Sequence, residues 1–360
     1  MSKFHKLVVS EVRPETADCV SVAFDVPSDL QKDYSYIQGQ HLTLKLTIDG
    51  KEVRRSYSIC SPATIAGLKE PMRIAVKRVK NGVGSNYVNE KIKKGDTIEV
   101  MTPMGNFHTE LKNTNRKHYT LFAGGSGITP MLSIIRTTLI AEPNSKLTLF
   151  YGNFNEEATI FKKQIDELVA ANAGRLTVHY VFEKPQTAGF PSELTGMLTK
   201  DVVKTLLSKY VERNPVIEYF ICGPGPMMDN VKEVLENNNV NRNFIHIEYF
   251  TSIVEEVKKD TSSGPGAISE ITVIMDGTET TFQLSSNGDA ILDAAIDAGV
   301  DAPFSCKGAV CATCRAKVKE GKVEMAMNYA LTDDEVASGY ILTCQSHPAS
   351  PVVVVDYDQG

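Results

Sequence analysis

The sequence lacks several features that would place it at once in a class of proteins. No segment approaches the roughly 18 consecutive apolar residues that a transmembrane helix requires, so we expect no membrane span. The first twelve residues alternate in polarity without a signal-peptide core or cleavage site, which favours a first β-strand and a cytoplasmic protein. A net charge of −6 argues against a general nucleic-acid binder.

The charge and the cysteines that are present are unevenly distributed. From Ala267 onward, fourteen Asp and Glu stand against five Lys and Arg, a net charge of −9, whereas the rest of the chain carries +3. This acidic region is either an ordinary solvated surface or one that steers docking onto a basic partner. Four of the seven cysteines lie in the same region, and in a cytoplasmic protein we expect no disulfide framework.

A chain of 360 residues is too long for one ordinary core, and the pattern of apolar and polar residues changes along its length. Residues 1–112 are short alternating runs broken by Gly turns, which predict an antiparallel β-barrel. Residues 113–250 alternate apolar strand-like runs with helical patterns, which predict a doubly wound α/β domain. Residues 251–267 have the composition of a linker. Residues 268–360 open with two strands around an Asp-Gly turn, followed by a helical pattern.

The most specific motif is formed by the cysteines of the last domain. Cys306, Cys311 and Cys314 have the spacing C-x4-C-x2-C, and Cys344 follows after 29 residues. This is the spacing of a plant-type 2Fe-2S ferredoxin, in which four thiolates hold two irons. The alternatives are a zinc site, which would favour two C-x2-C pairs, and a redox-active C-x-x-C. The spacing favours the iron-sulfur cluster over both.

A candidate flavin-binding strand lies in the barrel region, in the run 54–59. Alternation along a strand places Arg55 and Tyr57 on one face and Ser58 on the other. A flavin requires a cation for its phosphate, a flat ring to stack on and a hydrogen-bond donor near N5. The same residues also suit an ordinary strand, so the flavin interpretation of this segment depends on the motifs that accompany it.

A second Gly-rich stretch in the barrel region, residues 81–86, reads Asn-Gly-Val-Gly-Ser-Asn. We expect it to form a turn before a helix over residues 87–92. Free N–H groups at Gly82, Gly84 and Ser85 would then be available to a diphosphate.

A Gly-rich loop at residues 123–130 follows a predicted strand and opens a predicted helix. Its glycines would let the backbone approach a phosphate. The loop differs from the G-x-G-x-x-G of dinucleotide folds. Tight packing between strand and helix is therefore an equally good explanation of the loop taken alone.

A similar loop begins at Cys222 and Gly223, at the end of a later predicted strand. Both loops would lie at the carboxyl ends of parallel strands, where open α/β sheets bind ligands. Cys222 either lines a nicotinamide or is a small buried residue.

Taken in order, these motifs resemble the ferredoxin-NADP reductase superfamily with a ferredoxin fused at the C-terminus. The resemblance spans nearly the whole chain and includes the branch that serves multicomponent oxygenases, such as those acting on phenylacetyl-CoA. It implies a flavin-binding β-barrel, a nucleotide-binding α/β domain and a β-grasp (α+β) ferredoxin domain. It implies FAD, NAD(P)H and a 2Fe-2S cluster as cofactors, and a di-iron oxygenase component as the electron acceptor.

The resemblance also implies roles for individual residues. Arg55 would hold the flavin phosphate, Tyr57 would stack on the isoalloxazine, and Phe250 would cover its other face. The residues next to the reacting atoms would be Ser58 and Cys222. The remaining contacts are implied for FAD at Gly82, Gly84 and Ser85, and for NAD(P)H at Gly125, Gly127, Thr129, Cys222 and Gly223.

One departure from the family pattern affects the choice of donor. Relatives carry Arg after the Tyr-Gly-Asn of the adenosine pocket, but this chain has Phe154 there, followed by Glu156 and Glu157. A 2′-phosphate would lose its partner, which favours NADH, although Lys162 and Lys163 are alternative partners for NADPH.

The domain order predicts a chain of carriers, because a hydride carries two electrons and an iron-sulfur cluster accepts one. A flavin between them makes the conversion, and no side chain has to act as an acid or base. Two alternatives stay open: a reductase for another ring-oxygenating or demethylating system, and a redox-sensing module that binds a partner without oxidising nicotinamide.

Overall fold

The computed structural model describes residues 3–63, 70–212, 216–250 and 266–359. These residues divide into two compact units, one built from Phe4–Val53 and Tyr57–Glu248, the other mainly from Tyr249–Gly360. Most of the predicted linker, 251–265, lies outside the described residues. Within the described ranges, no helix combines the length and apolarity needed to cross a bilayer.

The larger unit begins with a six-stranded antiparallel sheet in the order β4-β3-β6-β1-β2-β5. Its strands are β1 Phe4–Thr16, β2 Cys19–Asp25, β3 His41–Ile48, β4 Lys51–Ser58, β5 Met72–Lys77 and β6 Thr97–Met101. A bridge between Ile59 and Ile74 joins the two edges, so the sheet closes into the predicted barrel. Buried aliphatic side chains such as Leu7, Leu42 and Leu44 fill its interior.

The barrel carries one helix in the described range, α1 at Val83–Lys91. The sequence predicted a turn over residues 81–86 and a helix from residue 87, and that boundary is wrong by one helical turn. Gly84 and Ser85 belong to the first turn of α1, with Gly82 as its N-cap. A glycine and a serine are poor helix formers, but they are tolerated at a helix start, where the N–H groups need no intrahelical partner.

The second part of the same unit is a five-stranded, wholly parallel sheet in the order β11-β10-β7-β8-β9. Its strands are β7 Lys117–Gly124, β8 Lys146–Asn153, β9 Leu176–Phe182, β10 Val216–Cys222 and β11 Ile245–Glu248. Its helices are α2 Ile128–Ala141, α3 Lys162–Ala171, α4 Lys200–Tyr210 and α5 Gly225–Asn237. Since the central strands are buried on both faces, they read as the near-continuous apolar runs seen in the sequence.

The smaller unit has a five-stranded mixed sheet in the order β13-β12-β18-β14-β16 and a two-stranded ribbon of β15 and β17. Its elements are β12 Ile268–Met275, β13 Thr278–Ser285, α6 Ile291–Asp297, β14 Arg315–Glu320, β15 Val323–Met325, α7 Asp333–Ala337, β16 Tyr340–Leu342, β17 Ser346–Pro348 and β18 Val352–Asp356. Asp276 and Gly277 both have positive φ, as the turn of the predicted hairpin requires. The parallel pairing of β12 with β18 brings the two ends of this unit together.

Candidate functional sites

Three side chains from three different strands converge at the carboxyl edge of the parallel sheet. Ser58, the last residue of β4, donates its hydroxyl hydrogen to Oε2 of Glu248 at 3.1 Å. Glu248 ends β11 and lies directly opposite Cys222, which ends β10. The barrel therefore contributes a hydroxyl, and the parallel sheet contributes a carboxyl and a thiol, to one place.

The environment of this group keeps both acids protonated near neutral pH. Glu248 retains some solvent access, but protein packs densely around its carboxyl group, and burial raises its pKa to about 8 against the opposing hydrogen bond from Ser58. Burial, and then the charge of Glu248, raises the pKa of the Cys222 thiol well above its usual value. Cys222 is fully buried and stays a neutral thiol, so it is not a reactive nucleophile.

Tight packing accounts for some of the glycines in the two loops. A Cβ at Gly127 would lie 2.1 Å from the carbonyl oxygen of Cys222, and a Cβ at Gly223 would lie 2.9 Å from the nitrogen of Gly124. The loops that follow β7 and β10 are therefore in backbone contact, and only glycine permits that approach. The packing alternative considered for the 123–130 loop thus explains Gly127, and the same backbone contact explains Gly223.

Gly125 differs from these glycines. Its φ of +51° is left-handed, and a Cβ there would meet nothing within 4 Å. It precedes α2, which has no side-chain cap and no acidic residue in its first turn. Unpaired N–H groups at a helix start bind anions, so these residues fit the phosphate of a dinucleotide. Thr129 is buried and donates its hydroxyl to the Ser126 carbonyl, so it shapes the turn.

The barrel residues expected to contact flavin have distinct surroundings. Arg55 is exposed on β4 and donates to the carbonyl of Arg54 at 2.7 Å, while Tyr57 is half-buried. Ser58 is buried. Phe250 comes two residues after the end of β11 and is exposed.

The start of α1 fits a phosphate in the same way as the start of α2. Gly82 offers no side-chain cap, and the first turn of α1 contains no acidic residue. The Ser85 hydroxyl accepts from the N–H of Val79 at 3.1 Å and so fixes the turn in front of the helix. Gly84 has no side chain and the Ser85 hydroxyl is already engaged, so the backbone N–H groups of these buried residues are what a phosphate would contact.

The four candidate cluster cysteines form two pairs. Cys306 is hydrogen-bonded to Cys311, and Cys314 to Cys344. Among the described residues, no three His, Cys, Asp or Glu side chains converge on one point as ligands of a single metal ion do. Two pairs suit a two-iron cluster in which each iron takes two thiolates, and they disfavour mononuclear zinc.

The loop around these sulfurs is strained in a way that directs N–H groups towards them. Lys307, Ala309 and Ala312 have positive φ although none is glycine. The N–H of Gly308 donates to the sulfur of Cys306 at 3.3 Å. The hydrogen bond from Cys311, and then such backbone N–H groups, lower the pKa of Cys306 to about 6. In each pair the pKa of one thiol is lowered and that of its partner is raised, so the N–H groups turned towards sulfur, rather than a shared pKa shift, are what fits a metal cluster.

Behind the second pair, a chain of hydroxyl groups fixes the backbone. The hydroxyl of Tyr357, which is buried, donates to Thr343 Oγ1 at 2.8 Å. Thr343 in turn donates through Oγ1 to the carbonyl of Cys314 at 2.9 Å. The turn that carries Cys344 is thereby tied to the loop that carries Cys314.

Two residues of these sites were not singled out as functional in the sequence. Glu248 was passed over, because its pairing with Ser58 spans 190 residues. Tyr151 is fully buried, and its hydroxyl reaches the carbonyls of Gly125 at 3.1 Å and Ile160 at 3.3 Å. The Tyr-Gly-Asn motif marked the position of Tyr151 but not this bridging role.

Comparison with protein families assigns a class to each part of the chain. Residues 6–109 match the oxidoreductase FAD-binding domain, and residues 121–233 match the oxidoreductase NAD-binding domain. Residues 273–349 match the 2Fe-2S iron-sulfur cluster binding domain. The three cofactor classes expected from the motifs are confirmed.

Curated relatives match over nearly the full length. One subunit of the 1,2-phenylacetyl-CoA epoxidase of Escherichia coli K12 is 39% identical over 99% of both chains. The ferredoxin reductase component of the 3-ketosteroid-9-alpha-monooxygenase of Rhodococcus rhodochrous is 33% identical over 98% of this chain and 96% of the relative.

A solved structure of phthalate dioxygenase reductase covers 98% of both chains with 25% identity and a TM-score of 0.58. It carries electrons from pyridine nucleotides to a 2Fe-2S centre, and it shares the expected fold class of flavin, nucleotide and ferredoxin domains. The chain therefore belongs to the family of oxygenase reductases of the ferredoxin-NADP reductase type, in which an FAD-binding, an NAD-binding and a 2Fe-2S ferredoxin domain follow one another.

Proposed function

We propose that this reductase supplies electrons to the di-iron oxygenase component of a phenylacetyl-CoA epoxidase in phenylacetate catabolism. The observation that carries the proposal is the 39% identity to a subunit of the Escherichia coli epoxidase, against 33% to the ketosteroid monooxygenase reductase. Electron transfer to an oxygenase is common to the family, so the identity of the acceptor is the proposed part.

Bound FAD supplies the conversion between a two-electron hydride donor and a one-electron carrier. We assign Ser58 and Cys222 to the walls of the place where the donor reacts, with Glu248 holding the Ser58 hydroxyl. Both the Cys222 thiol and the Glu248 carboxyl are neutral near pH 7, so the place where the donor reacts carries no net charge from these two groups.

The contacts to the rest of the cofactors are proposals of the same kind. We assign Arg55 and the start of α1 to the FAD phosphates, Tyr57 to one face of the isoalloxazine and Phe250 to the other. The uncapped first turn of α1, with Gly82, Gly84 and Ser85, supports the phosphate assignment. We assign the dinucleotide phosphates to the α2 start, with Gly125 in contact and Gly127, Thr129 and Gly223 shaping the loops.

Cys306, Cys311, Cys314 and Cys344 are assigned as the ligands of the cluster. The two thiol pairs and the N–H groups turned towards sulfur support this assignment. We propose domain divisions at 1–112, 113–250 and 268–360, with 251–267 as a linker. The absence of disulfides among the seven cysteines, all of which lie in the described part of the chain, suits the reducing cytoplasm that we propose as the location.

Reconstitution with purified oxygenase components tests the proposed acceptor. The reductase would be combined with the oxygenases of a phenylacetyl-CoA epoxidase, a ketosteroid monooxygenase and a glycine betaine monooxygenase. We expect product formation coupled to nicotinamide oxidation to be at least about tenfold faster with the first, roughly 1.4 kcal/mol of preference. Equal or faster coupling with another oxygenase would overturn the proposed acceptor.

An anaerobic absorbance titration with the donor tests the internal relay and serves as the control. Bleaching of both flavin and cluster is expected. A protein without these chromophores would instead support the redox-sensing or zinc-binding alternative, because neither of those requires flavin.

A further inference from the structure

The order of strands in the parallel sheet determines which end of a bound dinucleotide lies where, and this step rests on the proposed function. The Gly125 turn and the start of α2 follow β7, the middle strand. Cys222 and Glu248, where the donor reacts, end β10 and β11 on one side of β7. The other half of the dinucleotide must therefore extend across the ends of β8 and β9.

The ends of β8 and β9 present an aromatic ring to solvent. Phe154 follows β8 and is 48% exposed. Its carbonyl accepts the N–H of Lys184 at 2.8 Å, and the Lys184 Nζ lies 5.2 Å from the centre of its ring. A large exposed ring at the ligand-binding edge of a sheet offers a stacking surface for a base.

The carboxylate of Glu156 fixes the adjoining loop. Its two oxygens accept the N–H of Gln186 at 2.8 Å, and the N–H and hydroxyl of Thr187 at 2.9 and 2.7 Å. Although desolvation opposes the effect, these hydrogen bonds lower the pKa of Glu156 to about 2, so it is a permanent negative charge.

Two of the three lysines near this end, Lys162 and Lys163, already have carboxylate partners. Lys162 Nζ lies 2.7 Å from Asp166 and 4.8 Å from the centre of the Tyr180 ring. Lys163 lies 3.9 Å from Glu167, one turn further along α3. Residues 154–167 and 183–184, which follow β8 and β9, carry three lysines, namely 162, 163 and 184, and five carboxylates, namely Glu156, Glu157, Asp166, Glu167 and Glu183.

The neighbouring cavity of about 710 Å³ offers no unpaired arginine in its lining. Of the three arginines that line it in the described residues, Arg13 and Arg73 pair with Glu11, and Arg136 pairs with Glu70. Recruiting any of them to a phosphate would break an existing ion pair.

We propose that this end of the site is built for the adenosine of NADH, and that Phe154 sets the preference by stacking on adenine where a cation would otherwise bind a 2′-phosphate. A phosphate monoester carries a charge of about −1.5 to −2, and it would enter surroundings with two more carboxylates than lysines. The free 2′-hydroxyl of NADH meets no such repulsion.

Donor kinetics with a dye acceptor test the proposal directly. We expect kcat/KM for NADH to exceed that for NADPH by at least about tenfold in the unmodified protein, the ratio given by roughly one charge-assisted hydrogen bond. Phe154→Arg should raise kcat/KM for NADPH about tenfold and so reduce the ratio. Ile140→Arg is the matched control, because Ile140 is also 48% exposed in the same domain but lies at the far end of α2.

A binding measurement on the unmodified protein does not depend on how the variants fold. We expect 5′-AMP to compete with NADH at a concentration at least about threefold lower than 2′,5′-ADP, in line with the charge argument. Preference for NADPH or 2′,5′-ADP, or equal effects of Phe154→Arg and Ile140→Arg, would overturn the proposal. Failure of both donors to bleach the flavin would instead overturn the proposed function itself.

Discussion

The cluster loop and the nicotinamide site are built in opposite ways. Three of the four proposed cluster cysteines come from one short loop, Cys306–Cys314, whose left-handed residues turn N–H groups towards the sulfurs. At the proposed nicotinamide site, Ser58, Cys222 and Glu248 come from three strands of two sheets and meet only because those sheets pack together. A local site should fail completely when one ligand is lost, whereas an assembled site should lose rate by degrees.

The largest effect is therefore expected from a cluster ligand. Cys311→Ser should remove the cluster, because one of its irons would lose half of its protein ligands. Electron delivery to the oxygenase should fall by at least about a hundredfold, while dye reduction through the flavin continues. Iron content and visible absorbance check the cluster, and Cys19→Ala, a buried cysteine of the barrel, is the control that should retain it. Full iron in Cys311→Ser would contradict the ligand assignment.

The same contrast explains how much could be predicted from the sequence. The cysteine spacing indicated the cluster because its ligands are close along the chain, and the two Gly-rich loops indicated the nucleotide edge because each directly follows a strand. Glu248 escaped notice because its meaning depends on β11 lying beside β10. The start of α1 was placed one turn late, since Gly and Ser in a first turn resemble a loop in sequence.

A smaller effect, sensitive to pH, is expected at Glu248. Since burial raises its pKa to about 8, the neutral carboxyl predominates at pH 7 and the carboxylate appears as pH rises through 8. A new negative charge there repels the diphosphate of the donor, so flavin reduction at sub-saturating donor should slow above pH 8. Glu248→Gln keeps a neutral hydrogen-bonding group and should remove that decline, whereas Glu248→Ala should be about tenfold slower throughout. Anaerobic stopped-flow measurement of flavin bleaching tests this prediction. A pH profile of Glu248→Gln that still declines above pH 8 would show that the ionisation of Glu248 is not the cause of the decline.

A still smaller effect is expected at Tyr151, whose hydroxyl links the loop after β7 to the loop after β8. Tyr151→Phe removes the hydroxyl between Gly125 and Ile160, so the phosphate and adenosine halves should lose their fixed spacing. We expect KM for the donor to rise about threefold with little change in kcat, the cost of a weak neutral hydrogen bond. Tyr119→Phe is the control, since its hydroxyl binds Glu142 and it should lower stability without raising KM. A raised KM in both variants would indicate general loosening.

The smallest effect tests whether the cluster loop positions its sulfurs without support from the rest of the ferredoxin unit. The hydroxyl of Tyr357 is linked to the loop that carries Cys314 through Thr343. Tyr357→Phe keeps the packing but removes the first hydrogen bond of that chain. If the loop positions its sulfurs unaided, the cluster midpoint potential should shift by less than about 60 mV, under tenfold in a one-electron equilibrium.

The measurement is a redox titration followed by the electron paramagnetic resonance of the reduced cluster, with Tyr329→Phe as the control. In the part of the chain that the structure describes, the Tyr329 hydroxyl reaches only the sulfur of Met327, at 3.8 Å, so its loss should leave the potential unchanged. A lower melting temperature with an unshifted spectrum would show that Tyr357 contributes to stability but does not influence the cluster. A shift beyond about 60 mV would show that the cluster depends on residues assembled from across its domain, and the contrast with the nicotinamide site would then be one of degree.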